Sequence, residues 1–160
     1  MSEPREVKLG RALRQQNLTL VVAESCTGGL VGHKITEVPG SSEYFLGGII
    51  AYSNEVKERF LGVKSATLET YGAVSEETAL EMADGVRKAF HADIAVAVTG
   101  IAGPSSDLSQ KSVGLTWIAA STEQGTRAES HLWQGNRRSN KLQSAEAALD
   151  FVLKVIGEQA

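Results

Sequence analysis

The sequence predicts an α/β fold, a three-layer α/β/α sandwich on a mostly parallel, mixed sheet, and three observations carry that expectation. Short runs such as LTLVVAES and DIAVAVTG are apolar at nearly every position, as a strand buried on both faces requires. These runs alternate with amphipathic stretches of helical spacing, the order expected of a sheet covered by helices on both sides. Late in the chain two strand patterns, VGLTWIAAS and RAESHLWQG, follow one another directly, so part of the sheet is expected to be antiparallel.

Taken in order, residues 6–17 are rich in charge and carry Val7, Leu9 and Leu13 at helical spacing, which predicts a modest amphipathic helix. Residues 18–25 are the first buried strand. CTGG interrupts it, and residues 30–38 suit a helix stopped by Pro39-Gly40. YFLGGIIAYS reads as the second strand, with Gly47-Gly48 marking a bulge or a close approach of backbones. SNEVKERFLG follows as a helix, with Ser53 or Asn54 as its N-cap and Gly62 beyond its end. Ser75 opens a long helix to about Ala92, with Glu76 and Glu77 in the first turn, where carboxylates favour the dipole. Residues 93–100 are the third strand, and IAGPSSDLSQKS is a loop by composition. The two late strands are joined by a Thr-Glu-Gln-Gly turn. Residues 137–156 close the chain with a helix whose apolar face is Leu142, Ala145, Leu149, Phe151, Val152 and Val155. With no internal repeat, linker or low-complexity tract, residues 1–160 are expected to form a single domain.

Composition narrows the function classes. A chain of 160 residues with 42% hydrophobic and 22% charged residues is too apolar to be disordered and is expected to fold as a soluble globular domain. Lys+Arg is 16 against Asp+Glu 19, a net charge of −3 with no strongly basic stretch, which speaks against a nucleic-acid partner held by phosphate neutralisation. Cys26 is the single cysteine, so an internal disulfide and a Cys-based zinc site are both excluded. His33, His91 and His131 show no metal-ligand spacing, and no metal is expected. No apolar run approaches the ~18 residues of a membrane span, and the first residues lack the apolar segment of a signal peptide. A reduced, cytoplasmic protein with no membrane partner is the expectation.

In open α/β sheets ligands bind beyond the carboxyl ends of the strands. Three loops at such positions are rich in Gly, Ser and Thr: residues 24–29, 52–54 and 99–104. If their strands are neighbours, the loops converge on one cleft. The first delivers Ser25 at a strand-to-helix corner, where Gly28 and Gly29 admit close backbone approach and N–H groups could hold a phosphate or an oxyanion. It is not a phosphate-binding Walker loop, because no Gly-Lys-Ser/Thr follows. The second supplies Tyr52 and Lys57. A lysine in the first helical turn, partly buried, has a lowered pKa and could serve as the base a serine nucleophile requires; no histidine lies beside these loops. Cys26 is a rival nucleophile or a small packing residue. Arg137 and Arg138, at a helix start where cations are disfavoured, could grip a phosphate. Trp117 and Trp133, on strand patterns, read as core or interface residues.

AESCTGG, GGIIAYSNEVKERFLGV, YGAVSEETALEMA and VTGIAGP, in this order, resemble the CinA C-terminal domain family of competence/damage-inducible proteins, from about residue 9 to residue 156. Stand-alone members of that family are nicotinamide-nucleotide amidohydrolases. The resemblance implies a three-layer fold, usually homo-oligomeric, that hydrolyses nicotinamide mononucleotide to nicotinate mononucleotide and ammonia in pyridine nucleotide salvage. It implies a serine and a lysine assisted by a tyrosine, which map onto Ser25, Lys57 and Tyr52, and no metal or organic cofactor. Backbone N–H groups near Thr27, Gly28 and Gly29 would stabilise the oxyanion. Thr99, Gly100, Ala102 and Gly103 would line the pocket, and Arg137 would hold the ribose phosphate.

The chain departs from the family's usual pattern after GIAGP. There Gly-Gly is replaced by Ser106 and Asp107, and the proline of Lys-Pro-Val-Gly by Ser112. Gly135-Asn136-Arg137 stands for the usual Gly-Asp-Arg, and Lys141 for a frequent arginine. Side chains at positions that need positive φ would obstruct a site, and Asp107 would repel a phosphate. The altered 105–112 loop keeps a second expectation open: a non-catalytic or altered-specificity paralogue that binds a nucleotide or a partner protein.

Overall fold

Burial on both faces places two strands, β1 (Leu20–Glu24) and β3 (Ile94–Gly100), in the middle of a five-stranded sheet. The computed structural model describes residues 2–106 and 110–159. Its other strands are β2 (Phe45–Ile50), β4 (Leu115–Thr122) and β5 (Gly125–Leu132), and the order across the sheet is β2-β1-β3-β4-β5. β1 pairs in parallel with β2 and with β3, whereas β4 is antiparallel to both β3 and β5. Among the described residues only β4 therefore runs against the common strand direction, so the sheet is mixed, as the adjacent late strands predicted.

Helices α1 (Arg5–Gln16), α2 (Leu30–Thr36) and α6 (Arg137–Gln159) cover one face. Helices α3 (Asn54–Leu61), α4 (Ser65–Tyr71) and α5 (Glu76–Phe90) cover the other. The alternation of side chains along β3 divides the core in two. Ile94, Val96 and Val98 meet Leu20, Val22, Ile118 and the α6 residues Leu149 and Val152. Ala95 and Ala97 join Val21, Ala23 and Ala119 beneath α5. Each fully buried Val, Leu or Ile contributes roughly 1.5–3 kcal/mol.

The sheet-side alanines keep the second face thin, and α5 comes close to α3. A Cβ at Gly85 would run into the carbonyl oxygen of Leu61, so a glycine there permits the approach. Ser53 caps α3 by accepting from the Val56 N–H at 3.2 Å, and Gly62 ends it at φ +71°. The Gly47-Gly48 signal has both expected meanings. The register slips opposite Leu46, and a Cβ at Gly48 would strike the Val22 carbonyl.

Three sequence readings change. α4 was not foreseen, because only Thr67 and Leu68 of its seven residues are buried and no apolar stripe announces it. Val7 and Leu142, expected on buried faces, are exposed. α1 packs through Leu9, Gly10 and Leu13, and α6 through Ala145, Ala148, Leu149 and their helical successors. Helix α2 ends at Thr36, two residues short of its expected limit. Among the described residues no helix is long and apolar enough to cross a membrane.

Candidate active site

Because β1, β2 and β3 run parallel, their C-terminal ends lie together, and the three loops that follow them meet at one cavity of about 270 Å³. Ser25 arrives from β1, Tyr52 from β2, Lys57 from α3, and Thr99, Gly100, Ala102 and Gly103 from the end of β3 and its loop. Arg137 reaches in from the first residue of α6.

Lys57 is almost completely enclosed, with 1% of its surface exposed. Its Nζ lies 3.1 Å from Ser25 Oγ, 2.7 Å from the Ala51 carbonyl oxygen and 3.2 Å from the Tyr52 carbonyl oxygen. Carbonyl oxygens only accept, so the amine donates to both of them in either protonation state. Ser25 is different, since its hydroxyl can accept from an ammonium or donate to a neutral amine. Burial lowers the Lys57 pKa from 10.5 to about 8. In the neutral form two N–H bonds hold the amine on the carbonyls, and its lone pair is left for the Ser25 hydroxyl. That is the arrangement of a nucleophile with its base.

The neighbouring thiol lacks this activation. Cys26 is buried, and burial pushes its pKa up to about 12, so almost no thiolate forms near neutrality. Its sulfur packs near Gly100, where a Cβ would come within 3.1 Å of it. Tyr52 is 62% exposed, and its hydroxyl accepts from Arg137 Nη2 at 3.3 Å. The contact of Lys57 with Ser25 is direct; the part of Tyr52 that touches the amine is its backbone carbonyl. Arg137 also donates from Nη1 to the Gly103 carbonyl at 2.7 Å, which ties the start of α6 to the 101–104 loop. Thr99 donates to the Ala73 carbonyl at 2.7 Å and so anchors the Ala73-Val74 wall of the cavity. Of the altered loop, Ser105 and Ser106 line the cavity, Ser112 does not, and Asp107 lies outside the described residues.

The amides after Ser25 are not all available. At the end of β1 the buried carboxylate of Glu24 accepts from the N–H groups of Gly29 (3.2 Å), Val31 (2.9 Å) and Gly32 (3.0 Å). Gly28 N–H is bonded to the Ser25 carbonyl at 3.1 Å. Gly28 and Gly29 therefore do not offer their amides to an oxyanion, contrary to the sequence reading, because the Ser25 carbonyl already holds the first and the Glu24 carboxylate the second. Thr27, Gly28 and Gly29 instead line a separate depression on the far side of the turn. Among the described residues only the amides of Cys26 and Thr27 in this turn lack a protein acceptor.

Sequence reasoning missed Glu24 and the Ala73-Val74 wall. Glu24 left a signal, a carboxylate closing an otherwise apolar strand; Ala73 and Val74 left none. No group of three His, Cys, Asp or Glu side chains is gathered as a metal site among the described residues.

A serine in contact with an enclosed lysine at the ends of parallel strands can be set beside known proteins. The model of the CinA C-terminal domain matches residues 2–156. The chain belongs to the CinA C-terminal domain family. It is 46% identical over 149 residues to a CinA-like protein of Chlorobium phaeobacteroides, a match covering 90% of this chain and 35% of that protein. The chain thus spans only 35–36% of the length of the first curated relatives it matches. A CinA superfamily protein from Klebsiella pneumoniae superposes with a TM-score of 0.94 at 27% identity, over 96% of both chains. A competence/damage inducible protein from Agrobacterium tumefaciens is 37% identical, with a TM-score of 0.84 over 96% of this chain and 98% of that one.

Proposed function

We propose that this CinA domain hydrolyses the carboxamide of nicotinamide mononucleotide to nicotinate mononucleotide and ammonia. The observation that carries the chemistry is the Ser25–Lys57 contact, with the amine pinned by two carbonyls and its pKa lowered by burial. The substrate reading is supported by family membership and by Arg137, the one cationic side chain besides Lys57 that lines the cavity among the described residues.

In this reading neutral Lys57 takes the Ser25 proton as Oγ bonds to the carboxamide carbon. The carbonyl electron pair moves onto oxygen. The Cys26 amide, which has no protein acceptor and belongs to a residue lining the cavity, is the donor at hand for that oxyanion, and one such donor is worth roughly 3 kcal/mol of barrier in other acyl-transfer sites. The lysine ammonium then protonates the departing nitrogen, the C–N bond breaks, and ammonia leaves an ester on Ser25. Lys57, neutral again, takes a proton from water as its oxygen attacks that ester. The C–Oγ bond breaks, the proton returns to Ser25, and the product leaves as the carboxylic acid, which gives its remaining proton to water. Lys57 carries each proton transferred to or from Ser25 and the leaving nitrogen, and no oxidant or reductant enters.

The test is ammonia release from the purified chain with nicotinamide mononucleotide, run beside Ser25→Ala and Lys57→Ala. Release by the wild type alone supports the reading, and release that survives Ser25→Ala overturns it. The Ser105 and Ser106 side chains in the cavity wall favour a second reading, a domain that binds the nucleotide without turnover. Its signature is a melting temperature raised by the mononucleotide with no ammonia formed.

A further inference from the structure

On the other side of the catalytic turn lies a depression of about 500 Å³ that the reaction above does not use. The turn itself is the partition. Ser25 and Cys26 face the first cavity, and Thr27, Gly28 and Gly29 line the second. Helix α6 repeats the division: Arg137 lines the first, and Arg138, about 100° further round the helix, lines the second.

Among the described residues the charged side chains that line this depression, Arg138 and Lys141 of α6, are of one sign. His33 of α2 lines it too, and no carboxylate is among the described lining residues. His33 lies 3.4 Å from Glu37. Arg138 and Lys141 have no ion pair or hydrogen bond among the described residues. Both stand near the start of a 23-residue helix that has no acid in its first turn, the end where the macrodipole disfavours cations. Lys141 reaches over the backbone of Gly28, and a Cβ on that glycine would sit 3.8 Å from its Nζ. Two cations held together at the positive end of a helix repel each other and the dipole until an anion joins them.

A second observation is independent of charge. Thr27, which lines the same depression, is 1% exposed, and its hydroxyl oxygen meets no hydrogen-bond partner among the described residues. A buried hydroxyl without a partner is uncommon and calls for an explanation such as an absent ligand or water. The Glu24 carboxylate behind the turn is already engaged by three amides and does not neutralise Arg138 or Lys141.

We infer that this depression is a subsite for a phosphate monoester. A guanidinium fork, an ammonium and a hydroxyl suit a dianion with three terminal oxygens better than a carboxylate with two. The volume exceeds what an inorganic ion needs, and Leu30 offers an apolar wall for an organic group. The monoester is either the phosphate of the nucleotide whose amide is being cleaved or a separate phosphorylated compound. The first of these sources rests on the function proposed above.

The test uses the whole chain and two probes, ribose 5-phosphate and ribose, at constant ionic strength, with melting temperature as the readout. The expected result is a saturable rise with ribose 5-phosphate, none with ribose, and a loss of apparent affinity of at least tenfold in Arg138→Gln/Lys141→Gln. Ser25→Ala should bind as the wild type does. Thr27→Val, which removes only the unpartnered hydroxyl, should weaken binding several-fold and serves as the second variant if the double variant does not fold. No saturable shift, or a shift that the variants retain, overturns the subsite.

Ammonia release then assigns the source. A KM raised tenfold or more for nicotinamide mononucleotide but unchanged for nicotinamide riboside places the substrate's own phosphate there. Lost ribose 5-phosphate binding with both KM values unchanged points to a separate compound and still supports the subsite. If neither amide is cleaved, the deamidase reading fails while the melting experiment decides the subsite alone.

Discussion

The decisive residue is a lysine whose buried environment loosens its hold on a proton. With its pKa lowered to about 8, Lys57 is mostly protonated at pH 6 and mostly neutral at pH 9. Only the neutral amine can take the Ser25 proton, so kcat/KM for ammonia release should climb with pH and level off above a midpoint of about 8. A profile that is flat from pH 6 to 9 would remove Lys57 as the base. The adjacent residue supplies the contrast. Cys26 shares the turn and the burial, but burial acts on a thiol in the opposite sense and raises its pKa to about 12. Cys26→Ala should therefore keep turnover within a few-fold of wild type and lose about 1–2 kcal/mol of stability from the small void left behind. Turnover abolished by Cys26→Ala in a protein that still melts cooperatively would transfer the nucleophile's role to the thiol.

At the scale of elements, the site depends on how β1 hands over to α2. Glu24 is the joint, a carboxylate at the end of a buried strand that accepts three amides at the start of the next helix. Removing it leaves three N–H groups without their anion. Glu24→Ala should cost about 3 kcal/mol or more in urea unfolding, and it should lower kcat beyond that effect, because the Ser25 turn loses its anchor. Unchanged stability in that variant would show that water satisfies the amides equally well. This joint also marks the limit of what the sequence discloses. The buried strands were legible because β1 and β3 are apolar at almost every position, and the end of α3 was legible from Gly62. Ser25 and Lys57 could be singled out because a corner serine and a lysine in a first helical turn each carry a chemical oddity on their own. The fate of the amides could not be read, since it turns on one side chain folding back across five to eight residues. The Ala73-Val74 wall was equally hidden, for it lies in the irregular segment between α4 and α5, where no period of burial announces a contact.

For the molecule as a whole, the buried Lys57 amine is a stability debt that depends on pH. Unfolded, Lys57 titrates near 10.5; folded, near 8. Below pH 8 both states hold the proton, and the folded state bears the full cost of burying an ammonium. Between about 8 and 10.5 the unfolded chain binds a proton that the folded chain has released, so this residue makes unfolding harder as pH rises. Its contribution across that window is on the order of 3 kcal/mol, a sizeable fraction of the 5–15 kcal/mol that holds a typical domain together. Lys57→Met keeps most of the buried stem and removes the titration. It should abolish ammonia release and be more stable than wild type by up to about 3 kcal/mol at pH 7. That advantage should shrink toward zero as the comparison is repeated in urea up to pH 10.5. Groups that titrate elsewhere in the chain cancel in the difference between the two proteins, so the pH dependence that remains belongs to Lys57. A gap that stays constant over this range would mean that the folded amine keeps an ordinary pKa, and the argument for a neutral lysine acting on Ser25 would fall with it.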